Sequence, residues 1–194
     1  MGSRIDVIAE KFYPLRGEYA KQKDSEPTEF EKLTPPEKKF ISSLDDFKLV
    51  GNGAARCILT PTNKNNNEES IVYKIARLAD SDTIYDGIEQ NEYEAFLSSA
   101  VQDEFAANER PKLLPVLDSS DENYWVKMPL VPILFDAQTN SDKRKEIRDN
   151  VLDSLGPIRD NVMLAEVNSG NIGKYNGEWH LVDYGGDPLV AGSL

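Results

Sequence analysis

The stretch "IVYKIARL", Ile71 to Leu78, decides how the chain is read. Its β-branched and aromatic residues favour a strand, and period-two alternation puts Lys74 on one face with Val72, Ala76 and Leu78. That face is the apolar one, where a lone ammonium is costly unless an anion meets it. Upstream, "FKLVGNGAARCILTP" (Phe47 to Pro61) gives two β-prone runs joined by a glycine turn, followed by a polar loop, so three antiparallel strands are expected. Downstream, from Asp82 to about Val101, the residues Ile84, Ile88, Phe96 and Ala100 recur at helical spacing with Glu92 in the middle of their stripe. A cation on the strand and an acid on the helix explain each other as an ion pair. Taken singly, the lysine can reach the strand edge and the glutamate the stripe's margin.

Other stretches offer chemistry too. Gly51 and Gly53 let backbone amides face an anion without interference from a Cβ, and they serve an ordinary hairpin turn equally well. Asn171 and Asp183, 12 residues apart, flank a hairpin whose turn signal is Asn176-Gly177. Their amide and carboxylate oxygens suit a hard cation such as Mg²⁺, with Glu166 nearby as a base; the same residues also cap turns and loops. His180 alternates with its neighbours on a strand and reads as structural, and Cys57 as a small core residue.

Among 194 residues, 34 acidic side chains outnumber 22 basic ones, for a net charge of -12. That balance argues against nucleic acid or an anionic membrane surface as partner. With one Cys and one His, a disulfide framework and a Cys/His metal cluster are excluded within the chain, which leaves oxygen ligands for a metal. No apolar run has the length of a membrane span and no signal-peptide core opens the chain, so a cytoplasmic protein is expected. Residues 1–45 read as a helical extension: Ile5, Ile8 and Phe12 at helical spacing, a charged linker from Lys21 to Glu31, then "TPPE", where Thr34 and Glu37 form a capping box for a helix over about 35–45. A β-rich lobe over 46–131 and a smaller lobe over 132–194 complete an α+β fold. The smaller lobe has an amphipathic helix through Ile147, Val151, Leu152 and Leu155 that ends at Gly156-Pro157.

In order, "GNGAAR", "VYKIA", "QNEYEAF", "VNSGNIG" and "VDYGG" resemble the glycine-rich loop, third-strand lysine, helix glutamate, catalytic loop and metal-binding segment of the protein-kinase-like superfamily. The intervals are similar as well: 21 residues from Gly53 to Lys74 and 18 from Lys74 to Glu92. The likeness covers roughly Asp46 to Asp187 and is closest to small kinase-like proteins of phages, archaeal viruses and halophilic archaea. It implies a kinase-like fold in which Gly51 and Gly53 cover the phosphates of ATP, Lys74 held by Glu92 contacts them, and Asn171 and Asp183 bind Mg²⁺. The segment around Lys127 to Leu130, including Met128, would be the hinge that meets adenine, with Glu166 as catalytic base. Arg56 stands where the third glycine is usual, and Leu164 and Glu166 replace the His and Asp of the catalytic loop. Only nine residues follow Gly185, so the helices that hold a peptide substrate are expected to be absent. The expected function is binding of ATP or a related nucleotide with Mg²⁺, with atypical phosphotransferase activity. The alternatives are a pseudokinase acting as a protein-binding or inhibitory module, and a small-molecule phosphotransferase. Partners would be a nucleotide and another protein, and an incomplete second lobe would favour self-association.

Overall fold

Alternating exposure marks β1 (Phe47–Asn52) as an edge strand, whereas β2 (Arg56–Pro61) and β3 (Ile71–Ala76) are buried along most of their length. The three pair antiparallel, Phe47 opposite Pro61 and Arg56 opposite Ala76. With β4 (Asp118–Ser119) and β5 (Trp125–Pro129) they make a five-stranded sheet in the order β1-β2-β3-β5-β4. These elements belong to a computed structural model that describes residues 3–22, 33–63, 70–78, 86–163 and 167–185. The expected linker and the polar loop after β2 fall largely outside those residues. The chain forms two compact units, Met1–Glu92 with Leu117–Met128, and Tyr93–Val116 with Pro129–Leu194.

The first unit holds the sheet. A capping box of Ser3 and Asp6 starts α1 (Arg4–Phe12), whose stripe of Ile5, Ile8, Ala9 and Phe12 is buried against Cys57, Leu59, Ile75 and Trp125. The helix anticipated as an extension therefore supplies half of the sheet's core. It also explains why β3 is buried on both faces: Ile75 meets α1 while Val72, Lys74 and Ala76 point the other way. The Trp125 indole donates to Asp6 Oδ1 at 2.8 Å, which holds that carboxyl below its usual range. Burial pushes the Cys57 thiol well up, as befits a core residue.

Beyond α2 (Leu15–Gln22), α3 (Pro35–Ser42) begins at the Thr34–Glu37 capping box, with Thr34 N donating to Glu37 Oε2 at 2.6 Å. Glu37 has a second task. Its wholly buried carboxylate receives Arg77 as a fork, Nε to Oε1 at 2.8 Å and Nη2 to Oε2 at 3.0 Å. The Arg77 amide donates to Ala55 O at 2.8 Å, and its carbonyl accepts from Gly87 N at 3.2 Å, where α4 (Gly87–Glu104) begins. A Cβ on Gly87 would lie 2.2 Å from Ala55 O and 2.6 Å from Arg77 N, so only glycine permits this approach.

The inward stripe of α4 differs from the expected one. Gly87, Asn91, Glu94, Leu97, Ser98 and Val101 are buried, whereas Glu92 is exposed and Phe96 is 65% exposed; Ile84 lies outside the described residues. The apolar period misled because three of the six inward positions are polar. Glu92 is therefore not the buried acid of this helix; Glu94 is.

In the second unit, Asn140 caps α5 (Ser141–Ser154), which buries Ile147 and Val151 and gives way at Gly156, φ +38°, to a 3-10 turn. The hairpin of β6 (Ile172–Tyr175) and β7 (Glu178–Leu181) turns through Asn176 (φ 48°) and Gly177 (φ 85°), a type I′ geometry that the Asn-Gly pair anticipates. Lys174 N donates to Pro132 O at 2.9 Å and Leu181 N to Lys112 O at 2.8 Å, so flanking segments clamp the hairpin on both edges.

Arg77→Met strands the Glu37 carboxylate and should cost about 3–5 kcal/mol in urea unfolding, with much of the loss recovered when Glu37 is replaced by Met as well. Gly87→Ala should cost about 1–3 kcal/mol by overpacking, although alanine is the better helix former. A neutral result for either single change would contradict this account of the packing.

Candidate functional site

The β1–β2 turn is fastened from within. Arg77 Nη1 donates to the carbonyls of Gly53 and Ala54, Arg16 Nη1 also donates to Ala54 O, and the Arg77 amide takes Ala55 O. Both arginine side chains are buried. In a trans peptide the C=O of one residue and the N–H of the next point in opposite directions, and no cis bond occurs among the described residues. The carbonyls of Gly53 and Ala54 therefore turn the amides of Ala54 and Ala55 away from the two arginines. Neither amide donates within the described backbone network. Adjacent backbone amides in a turn are a donor type that binds anions.

The glycines contribute differently from expectation. The Gly53 amide closes the turn on Arg56 O at 2.8 Å, and Gly51 sits in the ladder opposite Ile58, where the register shifts. Neither has a positive φ, and a Cβ on Gly53 would make only an ordinary contact with Arg56 O at 3.8 Å. The donors offered are those of the two alanines, which composition alone does not flag.

Register sets the charge next to this turn. Arg56 pairs with Ala76 and Ile58 with Lys74, so Arg56 and Lys74 are diagonal neighbours on one sheet face. Lys74 is 5% exposed and Arg56 6%. Asn91 braces them: it accepts from Arg56 Nη1 at 3.4 Å and donates to Lys74 O at 3.3 Å and Asn123 O at 2.9 Å. Lys74 is thus on the buried face that its parity required, whereas Glu92 faces solvent.

In the second unit, Ile172 pairs with Leu181 and Val182 N donates to Asn171 O at 2.8 Å. Asn171 and Asp183 consequently lie at the open end of the hairpin, Asp183 two residues beyond the last paired position, Leu181. Asn171 follows a turn in which Asn168 Oδ1 accepts from Gly170 N at 2.9 Å. The buried Glu94 carboxylate accepts from Tyr184 N at 3.2 Å, next in sequence to Asp183. Glu166 and Leu164 lie outside the described residues. Met128, fully buried in β5, is the last residue of the first unit, so the segment read as a hinge falls where the chain passes from one unit to the other. Among the described residues no three His, Cys, Asp or Glu side chains converge as a metal site. An amide and a carboxylate oxygen remain a donor set that suits Mg²⁺, which keeps its other positions for water and phosphate.

No family model matches the sequence, and no curated protein matches it. Among solved structures the chain is similar to one described as "Crystal structure of Cex1p", at 14% sequence identity and a TM-score of 0.39, over 79% of this chain and 28% of that one. The chain thus spans little more than a quarter of that protein's length. Its own architecture is α+β, and among the described residues no helix is long and apolar enough to cross a membrane.

His180 is half-buried on β7 with its ring edge-on to Tyr175, and burial lowers its proton affinity. The unfolded chain therefore protonates first as pH falls below about 6.5, and folded stability declines there. His180→Gln should flatten this part of the stability profile. Parallel profiles for parent and variant between about pH 5 and 6.5 would contradict the assignment.

Proposed function

We propose that this is a kinase-like protein that binds ATP, or a related nucleotide, with Mg²⁺. The observation that carries the reading is the β1–β2 turn: with its carbonyls held by Arg77 and Arg16, it offers the Ala54 and Ala55 amides to phosphate oxygens, next to the buried cations Arg56 and Lys74. In the family that the sequence resembles, a glycine turn and a strand lysine do this work. On the same reading Asn171 and Asp183 hold Mg²⁺, which neutralises phosphate charge, the Met128 segment meets adenine, and Glu166 is the base. The helix acid whose loss matters becomes Glu94 instead of the exposed Glu92. A second reading, a pseudokinase that binds nucleotide or a protein partner without transferring phosphate, is favoured by the fastening of the same turn. A loop tied to two buried arginines has little freedom to close over a substrate.

Thermal unfolding tests the binding. ATP with Mg²⁺ at about 100 times its dissociation constant should stabilise the chain by roughly 2.7 kcal/mol, a rise in Tm of roughly 5–10 °C at this length. Lys74→Met should abolish the rise and Glu92→Gln should leave it intact. No rise for the parent protein would end the nucleotide proposal. Where the rise is seen, incubation with γ-labelled ATP separates the two readings: transfer lost in Asp183→Ala and Glu166→Gln marks an enzyme, and no transfer by the parent marks the pseudokinase.

A further inference from the structure

A cavity of about 320 Å³ lies within the second unit, between the end of α4, the segment after it and the turn end of the β6–β7 hairpin. Asn171 and Asp183 are at the other end of that hairpin, so none of the candidate nucleotide or metal residues lines it. Its volume is within the range of small-molecule sites. Val101, Pro111 and Leu113 form a buried apolar floor, and the half-buried Tyr175 and His180 stand against it. The rim is charged. Glu178 is taken by Lys112, Nζ to Oε1 at 3.0 Å. Among the described residues Arg110 has no acid partner: its Nε donates to Phe105 O at 3.2 Å and its Nη2 to Gln102 O at 3.0 Å, two carbonyls at and just past the end of α4.

Those two bonds fix the guanidinium plane and leave the Nη1 hydrogens to a ligand. With the Glu178 charge matched by Lys112, the charge left at the rim is the cation Arg110, set beside an apolar floor. From this juxtaposition we infer that the cavity is a binding site for a small organic carboxylate with an apolar body, the carboxylate on Arg110 and the body over Val101 and Leu113. In a chain with a net charge of -12, a preorganised cation beside an apolar floor selects such an acid over a cation or a neutral analogue of the same shape. The site is independent of the nucleotide proposal, since it shares no residue with it.

Saturation-transfer NMR with benzoate, benzyl alcohol and benzamidine as probes tests the inference, because the three share a ring and differ in charge. Benzoate should bind saturably with a dissociation constant on the order of 1 mM, and benzyl alcohol about ten-fold more weakly. Benzamidine should show no saturable binding. Arg110→Gln should weaken benzoate about ten-fold, and Ala107→Glu, which adds an acid at the exposed rim, should weaken it comparably. Both positions are exposed, so the fold should survive, as checked by an unchanged melting temperature. Benzyl alcohol or benzamidine binding as well as benzoate, or benzoate binding unaltered in both variants, would overturn the inference.

Discussion

The buried fork between Arg77 and Glu37 is the contact on which the first unit depends. Two charges taken out of water are tolerated only when geometry is good and every remaining donor is occupied. Here the demand is met by recruiting three separate parts of the chain: the cap of α3 through Thr34, the β1–β2 turn through Gly53, Ala54 and Ala55, and the start of α4 through Gly87. The polarity of one side chain thereby fixes the orientation of several peptide planes. Holding the carbonyls of the turn toward Arg77 is a structural requirement of that side chain, and turning the following amides the opposite way is its geometric consequence. In this account the candidate anion site is a by-product of satisfying a buried cation.

The distribution of charge follows the same logic. The chain carries a net charge of -12, yet Arg16, Arg56, Lys74 and Arg77 are all buried. Repulsion by the acidic surface is screened beyond about 8–10 Å at ordinary ionic strength, so it neither attracts an anionic ligand nor bars its approach from a distance. On the proposed reading the ligand would be recognised by short-range donors of the turn and the sheet face.

Much of this was legible in the sequence where local chemistry acts alone. The Thr34–Glu37 capping box, the Asn176-Gly177 turn, the stripe of Ile5, Ile8 and Phe12 and the inward parity of Lys74 each depend on residues a few positions apart. What escaped depends on distant partners. Glu37 reads as a complete capping residue, and nothing local says that it also receives an arginine forty positions later. The inward face of α4 is hidden because Asn91, Glu94 and Ser98 break the apolar period, which shifted the expected acid from Glu94 to Glu92. The turn's glycines drew notice for their freedom, whereas the available amides belong to alanines whose orientation is set by Arg16 and Arg77.

The candidate site depends on the orientation of two peptide groups, and their amide protons report on it directly. In a ¹⁵N-labelled sample titrated with ATP and Mg²⁺, the Ala54 and Ala55 amide resonances should move downfield, saturably and further than those of the neighbouring β1 residues, as expected of amides that acquire a phosphate acceptor. If both resonances stay in place while ATP binds elsewhere, or if the nucleotide leaves the whole spectrum unchanged, the turn is a structural fastening only and the proposed site does not exist.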